Sequence, residues 1–357
     1  MNKYLKIFIV TVVCLVCASP LFSTMKFTVA PISPLFRDFV ADPYAPSSKF
    51  HIFTSLTEGS IPNTIYHAKD DQYVEIPFKS EGQTNYFNMK AGANIGFLRF
   101  QARFFQIELY LYGGLNAVFE LEGATDLLGF DGFYSFGLNI RLWDVVALQA
   151  GIHHFSGHWG DEILAKMAEN NPSANLGTMS LLEYTRDNSW MLSLSIEPIK
   201  SLRLYSLFEI PMQAAWVRPA AHVPSYVVKP SDHDKPQYEN IAEQEGVSPV
   251  AYDDSYLAMR IQAGTEIRFP LFSLGSFFVA GDIQFHQDGQ TNHQVDSYDS
   301  GKPWEITFTV GGGFEFNQGY FDRKMRIEAF YHYGRFPLLN FLYQRGHYIS
   351  VGFAING

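Results

Sequence analysis

The chain has 357 residues, 47% of them hydrophobic, 16% aromatic and 17% charged, with 26 Lys+Arg against 36 Asp+Glu. A chain this apolar can bury a large area, which excludes disorder, and a net charge of −10 argues against nucleic acid, whose phosphates require clustered Lys and Arg. The longest unbroken apolar run, Ile7–Ala18, is shorter than the roughly 20 residues of a membrane-spanning helix.

The first 23 residues read as a secretory signal: Lys3 and Lys6 give the positive start, Ile7–Ala18 the apolar segment, and Ala18, Ser19 and Ser23 the small residues for cleavage. Cys14 and Cys17 both fall in it, so the mature chain is expected to hold no disulfide, thiolate metal site or Cys nucleophile. Val16 is larger than the residue that usually precedes a lipidated cysteine, which disfavours Cys17 as an anchor. Residues 24–71 are expected to form an N-terminal periplasmic segment, and residues 72–357 the folded domain.

Past that point the sequence alternates with period two. The stretches are Tyr73–Lys79, Asn88–Phe97, Phe105–Leu111, Phe133–Leu142, Val145–His158, Trp190–Ile196, Leu202–Ile210, Tyr256–Arg268, Phe277–His286, Trp304–Phe316, Lys324–Tyr333 and His347–Ile355. Alternation over about ten residues is the signature of a strand, whereas a helix repeats at 3.6. A soluble sandwich also alternates, but its strands usually run to about 5–6 residues. Many of these are longer, matching the roughly 9–11 tilted residues that cross a bilayer. The connections alternate too: those near 100, 143–144, 198–200, 270–275 and 317–321 are short, and those at 122–130, 157–188, 212–254, 287–303 and 334–345 are long. Short inner turns, long outer loops and an even strand number, here about 12, predict an all-β antiparallel transmembrane barrel of the bacterial outer membrane.

One outer connection, Met212–Asp254, carries Pro219, Pro224, Pro230, Pro236 and Pro249 and reads as extended, solvated chain that either stays exposed or covers the mouth. The last strand puts His347, Ile349, Val351, Phe353 and Ile355 on one face. It resembles the aromatic-rich final strand read by the outer-membrane assembly machinery, although it ends Ile355-Asn356-Gly357 and not in Phe. The expected partners are that machinery and outer-membrane lipid, without nucleic acid.

If the apolar faces meet lipid, the polar ones line the lumen. That lining comprises Lys90, Glu108, Arg141, Arg203, Glu209, Arg260, Glu266, Arg268, Asp282, Glu305, Glu315, Arg326 and Glu328. Two readings stay open: paired charges that plug the barrel, or a narrow selective path. About 12 strands enclose more than the eight that side chains alone can fill, and less than a general porin of 16–18.

One chemical constellation interrupts the pattern. The strand Val145–His158 runs into His153-His154-Phe155-Ser156-Gly157-His158-Trp159-Gly160-Asp161-Glu162, and alternation sets His154 and Ser156 side by side on the lipid-facing side of the outer rim. His154 can serve as base to a Ser156 nucleophile, with Asp161 or Glu162 orienting the imidazole. The pattern resembles the His-x-Ser arrangement of outer-membrane phospholipase A and lipid A deacylase, but Gly157-His158 follows the serine where the phospholipase has Asn-Gly. Calcium enters only under that reading; otherwise no cofactor is expected. A metal at His154 and His158 is disfavoured, since four strand residues set them about 13 Å apart. A structural role at the membrane interface is the third reading.

The run from His154 to Glu162 also resembles the signature of the domain-of-unknown-function 1207 (DUF1207) family of bacterial envelope proteins. Arg186 before Ser189-Trp190, Leu202-Arg203-Leu204-Tyr205 and Glu328-Ala329-Phe330-Tyr331-His332-Tyr333-Gly334-Arg335 extend the likeness over nearly the whole mature chain. The resemblance implies an outer-membrane location and supplies no activity. The sequence is therefore read as a barrel that is structural or forms a narrow channel, with a surface lipid-acyl hydrolase as the alternative.

Overall fold

The computed structural model describes residues 25–56, 64–67, 72–75, 85–121, 126–160, 162, 182–212, 216–219, 250–251, 259–287, 304–317, 324–339 and 345–356. The expected signal segment, Asp161, and most of the proline-rich outer connection lie outside the described residues.

In chain order the strands are β1 (Lys26–Val29), β2 (Ser48–Ser55), β3 (Thr64–His67), β4 (Gln72–Glu75), β5 (Asn85–Gln101), β6 (Phe105–Glu120), β7 (Leu127–Leu142), β8 (Val146–Trp159) and β9 (Leu182–Ile199). They continue as β10 (Leu202–Pro211), β11 (Trp216–Pro219), β12 (Val250–Ala251), β13 (Arg260–Leu271), β14 (Gly275–His286), β15 (Glu305–Phe316), β16 (Lys324–Arg335) and β17 (Arg345–Asn356). Twelve of them, β2, β5–β10 and β13–β17, pair antiparallel with their neighbours, and β17 returns to β2 from Tyr348↔Ser55 to Ile355↔Ser48. The result is a closed twelve-stranded antiparallel barrel, as the alternation and loop rhythm predicted. Closure leaves no sheet edge to pair with other chains.

The period of two sorts the side chains. On β15, Ile306, Phe308 and Val310 point outward and Thr307 and Thr309 are buried; on β17, Ile349, Val351, Phe353 and Ile355 face out. Similar rows on β7, β14 and β16 give the barrel an apolar exterior. The long outer connection contributes β11, which pairs with the far end of β9 (Trp216↔Thr185 to Pro219↔Leu182), so part of it is regular strand.

The start of the barrel differs from the sequence expectation. Gln72–Glu75, within the region expected to begin the wall, pairs instead with β3 in a separate two-stranded sheet. The first wall strand is Ser48–Ser55, so this part of the segment expected to be periplasmic belongs to the barrel. Its eight residues carry the alternation, with Phe50 and Ile52 outward and Lys49, His51 and Phe53 inward. The run is short, and its inward face mixes charge with an aromatic ring.

The correction extends upstream. β1 lies along the same edge of β5 as β2, from Lys26↔Gln101 to Val29↔Leu98, while β2 covers that edge from Lys49↔Lys90 to Thr54↔Asn85. Between them Ala30, in left-handed backbone with φ 47°, donates its N–H to the Phe97 carbonyl (2.7 Å) and turns the chain inward. Residues 31–47 then enter the lumen, and the chain returns to the wall at Ser48.

Candidate functional site

The lumen is the candidate site, and its occupant is the chain's own N-terminal segment. Leu35, Phe36, Phe39, Val40, Ala41 and Ala45 are buried. Phe36 and Phe39 join a cluster with Tyr110, Tyr112, Phe133, Phe155, Tyr205 and Leu207 from the wall. The Phe39 ring stacks on Tyr205, with centroids 3.9 Å apart and 7° between the planes. Val40 and Ala41 pack with Phe278, Ala280 and Phe330. The lumen face is thus part aromatic, which the polar half of the alternation did not convey.

The backbone of this segment forms no sheet within the lumen, so its polar groups need side-chain partners. The wall supplies them. Glu108 accepts the Leu35 N–H (2.9 Å), and Glu266 accepts the Val40 N–H (3.0 Å). Arg203 donates to the Arg37 and Asp38 carbonyls (2.5 and 2.8 Å), Asn94 to the Phe36 carbonyl (3.1 Å), and Arg99 to that of Ser33. Lys90 donates to the carbonyls of Pro43 and Ala45. The far end of the lumen is filled from the connection that follows β16: Phe336, Leu338 and Leu339 are buried, Asp131 accepts the Leu339 N–H (3.1 Å), and Asn116 donates to the Pro337 carbonyl (2.9 Å).

The thirteen charged positions assigned to the lumen all point inward; ten are fully buried, and Arg141, Arg268 and Glu305 are partly so. They form linked pairs. Arg203 and Arg268 share Glu266 (3.1 and 2.9 Å), and Arg268 and Lys324 share Glu315 (3.6 and 2.7 Å). Glu209 meets Arg260 at 2.9 Å and His153 at 3.4 Å, Arg326 meets Glu328 at 2.8 Å, and Arg335 meets Glu305 at 2.9 Å. Asp282 accepts from Tyr205, Gln262 and Gln284, and Gln284 also donates to Asp42 of the inserted segment. Arg141 reaches Glu197 at 3.7 Å, and Arg37 of the segment meets the same carboxylate at 2.6 Å. Buried charges persist only when paired or hydrogen-bonded; here most pairs lie within the wall, and Arg37 and Asp42 of the inserted chain join the network at Glu197 and Gln284.

At the end with the short turns a cavity of about 420 Å³ remains, bounded by Ser33, Pro34, Arg37, Arg99, Arg141, Glu197, Arg268 and Glu315 among others. Deeper, between the inserted segment and the wall, lies a cavity of about 80 Å³.

The outer-rim constellation assembles differently from expectation. Its even-numbered residues do face outward, but the imidazole that meets Ser156 is that of His158, Nε2 to Oγ at 3.1 Å. Residue i and i+2 on one strand are neighbours, so either histidine was in reach by spacing. His154 stacks on Tyr134 (4.8 Å) and His158 on Phe130 (4.8 Å) across the β7–β8 pairing. Glu162 is exposed, and Asp161 lies outside the described residues. Cross-strand aromatic stacking accounts for both imidazoles, and the geometry lends the acyl-hydrolase reading no support. Among the described residues no group of three or more metal-ligating side chains occurs.

Sequence reasoning missed the inserted segment. The available signal was the apolar set Leu35, Phe36, Phe39 and Val40 in a stretch too rich in proline to be helix or strand.

No protein-family model matches the chain, and no curated protein matches it significantly. Among solved structures it is similar to the translocator domain of the autotransporter NalP from Neisseria meningitidis (10% identity, TM-score 0.35, covering 87% of each chain). It is also similar to a Pseudomonas aeruginosa FadL homologue (8% identity, TM-score 0.32, 79% of this chain and 70% of that one). Pseudomonas aeruginosa OpdL gives 8% identity and a TM-score of 0.28, over 87% of this chain and 98% of that one. Likeness at this level carries no argument about what the chain does.

Proposed function

We propose that the protein is an integral barrel of the bacterial outer membrane whose narrow lumen is held shut by residues 31–47. The apolar exterior and closed wall suit a bilayer, where every backbone polar group needs an internal partner. Outer-membrane lipid is then its surrounding partner, and β17 the element it offers to the assembly machinery. The observation that carries the closed-channel reading is the character of the plug's attachment. Charged and amide side chains of the wall bind a segment that adds no strand inside the lumen. Bonds to charged groups are worth a net of about 1.5–3 kcal/mol each, and none of them belongs to the barrel's sheet, so the segment can leave while the wall stays closed.

The test is single-channel recording in planar bilayers on the full chain and on a variant in which a short Gly-Ser linker replaces residues 31–47. The two ends already lie on one edge of β5. The full chain is expected to be silent and the variant to conduct in steps. Steady conductance by the full chain would overturn the closed state, and a folded variant that stays silent would reduce the protein to a structural barrel.

A further inference from the structure

Lys49 and Lys90 are direct cross-strand partners in the β2–β5 pairing, and both side chains are buried, 6% and 2% exposed. Like charges directly opposite one another in a sheet repel, and burying an ammonium is costly unless it is well paired. The nearby carboxylates only partly answer this charge. Glu328 lies 3.7 Å from Lys49, but it also serves Arg326 at 2.8 Å and His51 at 3.0 Å. Asp131 is engaged by Asn116 and the Leu339 N–H, Asp42 by Gln284 and the Tyr44 N–H, and Asp38 by Asn94. Lys90 donates to two backbone carbonyls, Pro43 and Ala45, and Lys49 adds one long bond to the Val40 carbonyl (3.4 Å).

Both lysines border the cavity of about 80 Å³ between plug and wall. Its other polar boundary groups include His51, Ser350, Asn88 and Thr309, and no carboxylate is among its lining residues. His332 borders it too, with its ring nitrogens engaged by Thr309 and the Arg335 carbonyl. A water needs only about 10–15 Å³ of such space, so the cavity has room for a tetrahedral ion. An ammonium has three donors, and the bonds above use two from Lys90 and one from Lys49.

We propose that this cavity is a binding site for a small free oxyanion of the phosphate or sulfate class, held between the Lys49 and Lys90 ammonium groups with the Ser350 hydroxyl as a further donor. The site lies between the plug and the wall, so it admits a free ion and no lipid headgroup. It stands whether or not the barrel conducts. Because Lys90 also grips the Pro43 and Ala45 carbonyls, a bound anion fixes the geometry of the plug at its return to the wall.

The test is isothermal titration of the folded full chain in detergent micelles with inorganic phosphate and, separately, sulfate. Lys90→Met and Lys49→Met are compared with Lys324→Gln, a change at the short-turn end. Wild-type and Lys324→Gln proteins are expected to bind one ion saturably, and each methionine variant at least about tenfold more weakly, a change of about 1.4 kcal/mol. No saturable binding of either ion by wild-type protein up to about 10 mM, where binding energy is already marginal, would overturn the proposal and leave only water in the cavity. Unchanged binding in whichever methionine variants fold would overturn it equally, and if Lys90→Met does not fold, Lys49→Met decides.

Discussion

Arg203 on β10 and Glu266 on β13 face each other in register, form an ion pair at 3.1 Å, and each also bonds the inserted segment, besides Ser195 and Arg268 of the wall. The guanidinium takes the Arg37 and Asp38 carbonyls, and the carboxylate takes the Val40 N–H two residues further on. One wall pair thus anchors three plug residues, Arg37, Asp38 and Val40.

Removing the cation leaves Glu266 with Arg268 and strands two plug carbonyls. Arg203→Met is therefore expected to destabilise the barrel by about 3–5 kcal/mol, the usual result of breaking a buried pair from one side. Denaturant unfolding in micelles measures the loss, and faster tryptic cleavage after Arg37 reports that the plug has loosened. Unchanged cleavage alongside the full loss of stability would mean that the pair supports the wall alone.

Gly264 faces the other anchor. A β-carbon there would lie 2.2 Å from Cζ and 2.3 Å from the hydroxyl of Tyr205, whose ring stacks on Phe39 and whose hydroxyl donates to Asp282. The ring has no room to yield without losing one of these contacts. Gly264→Ala is expected to cost about 1–3 kcal/mol through overpacking and to weaken the near-ultraviolet circular dichroism of the stacked pair. A neutral substitution would show that Tyr205 does not fix the plug.

The membrane reading predicts a dependence on depth. Val310 is outward-facing at the middle of β15, while Leu274 sits in the turn between β13 and β14. Val310→Arg is expected to cost about 2–4 kcal/mol in lipid and Leu274→Arg no more than about 1 kcal/mol. Equal costs in refolded bilayer samples would argue against a lipid-facing β15.

At the outer rim, the Ser156–His158 hydrogen bond is expected to contribute about 0.5–1.5 kcal/mol and no chemistry. Fatty acid released from phospholipid micelles, followed by mass spectrometry with and without calcium, should stay at background for wild-type and Ser156→Ala protein alike. Release that disappears in Ser156→Ala would restore the hydrolase.

The wall was largely legible because a strand in a barrel writes its two environments into alternate residues. Trp304–Phe316 and Lys324–Tyr333 show it plainly, and the structure pairs them from Phe308↔Tyr333 to Glu315↔Arg326. The same rule sent Arg203, Glu266 and Glu328 inward. The plug was illegible for a physical reason: no periodicity marks a segment whose backbone bonds are supplied mostly by wall side chains, some as far as 226 residues away in sequence. The rim histidines show the finer limit, since spacing allowed Ser156 either neighbour and the stacking partners Tyr134 and Phe130 come from another strand.

The interrupted first strand bears on how the chain reaches this state. β2 must find β17, nearly the whole sequence away, and the segment that precedes β2 is tethered at that seam. Distant pairings are slow because the entropy of loop closure is lost before contacts repay it. Sealing the cylinder is therefore a late kinetic event, and until the seam forms the polar inner surface and the aromatic segment destined for it are both open to water.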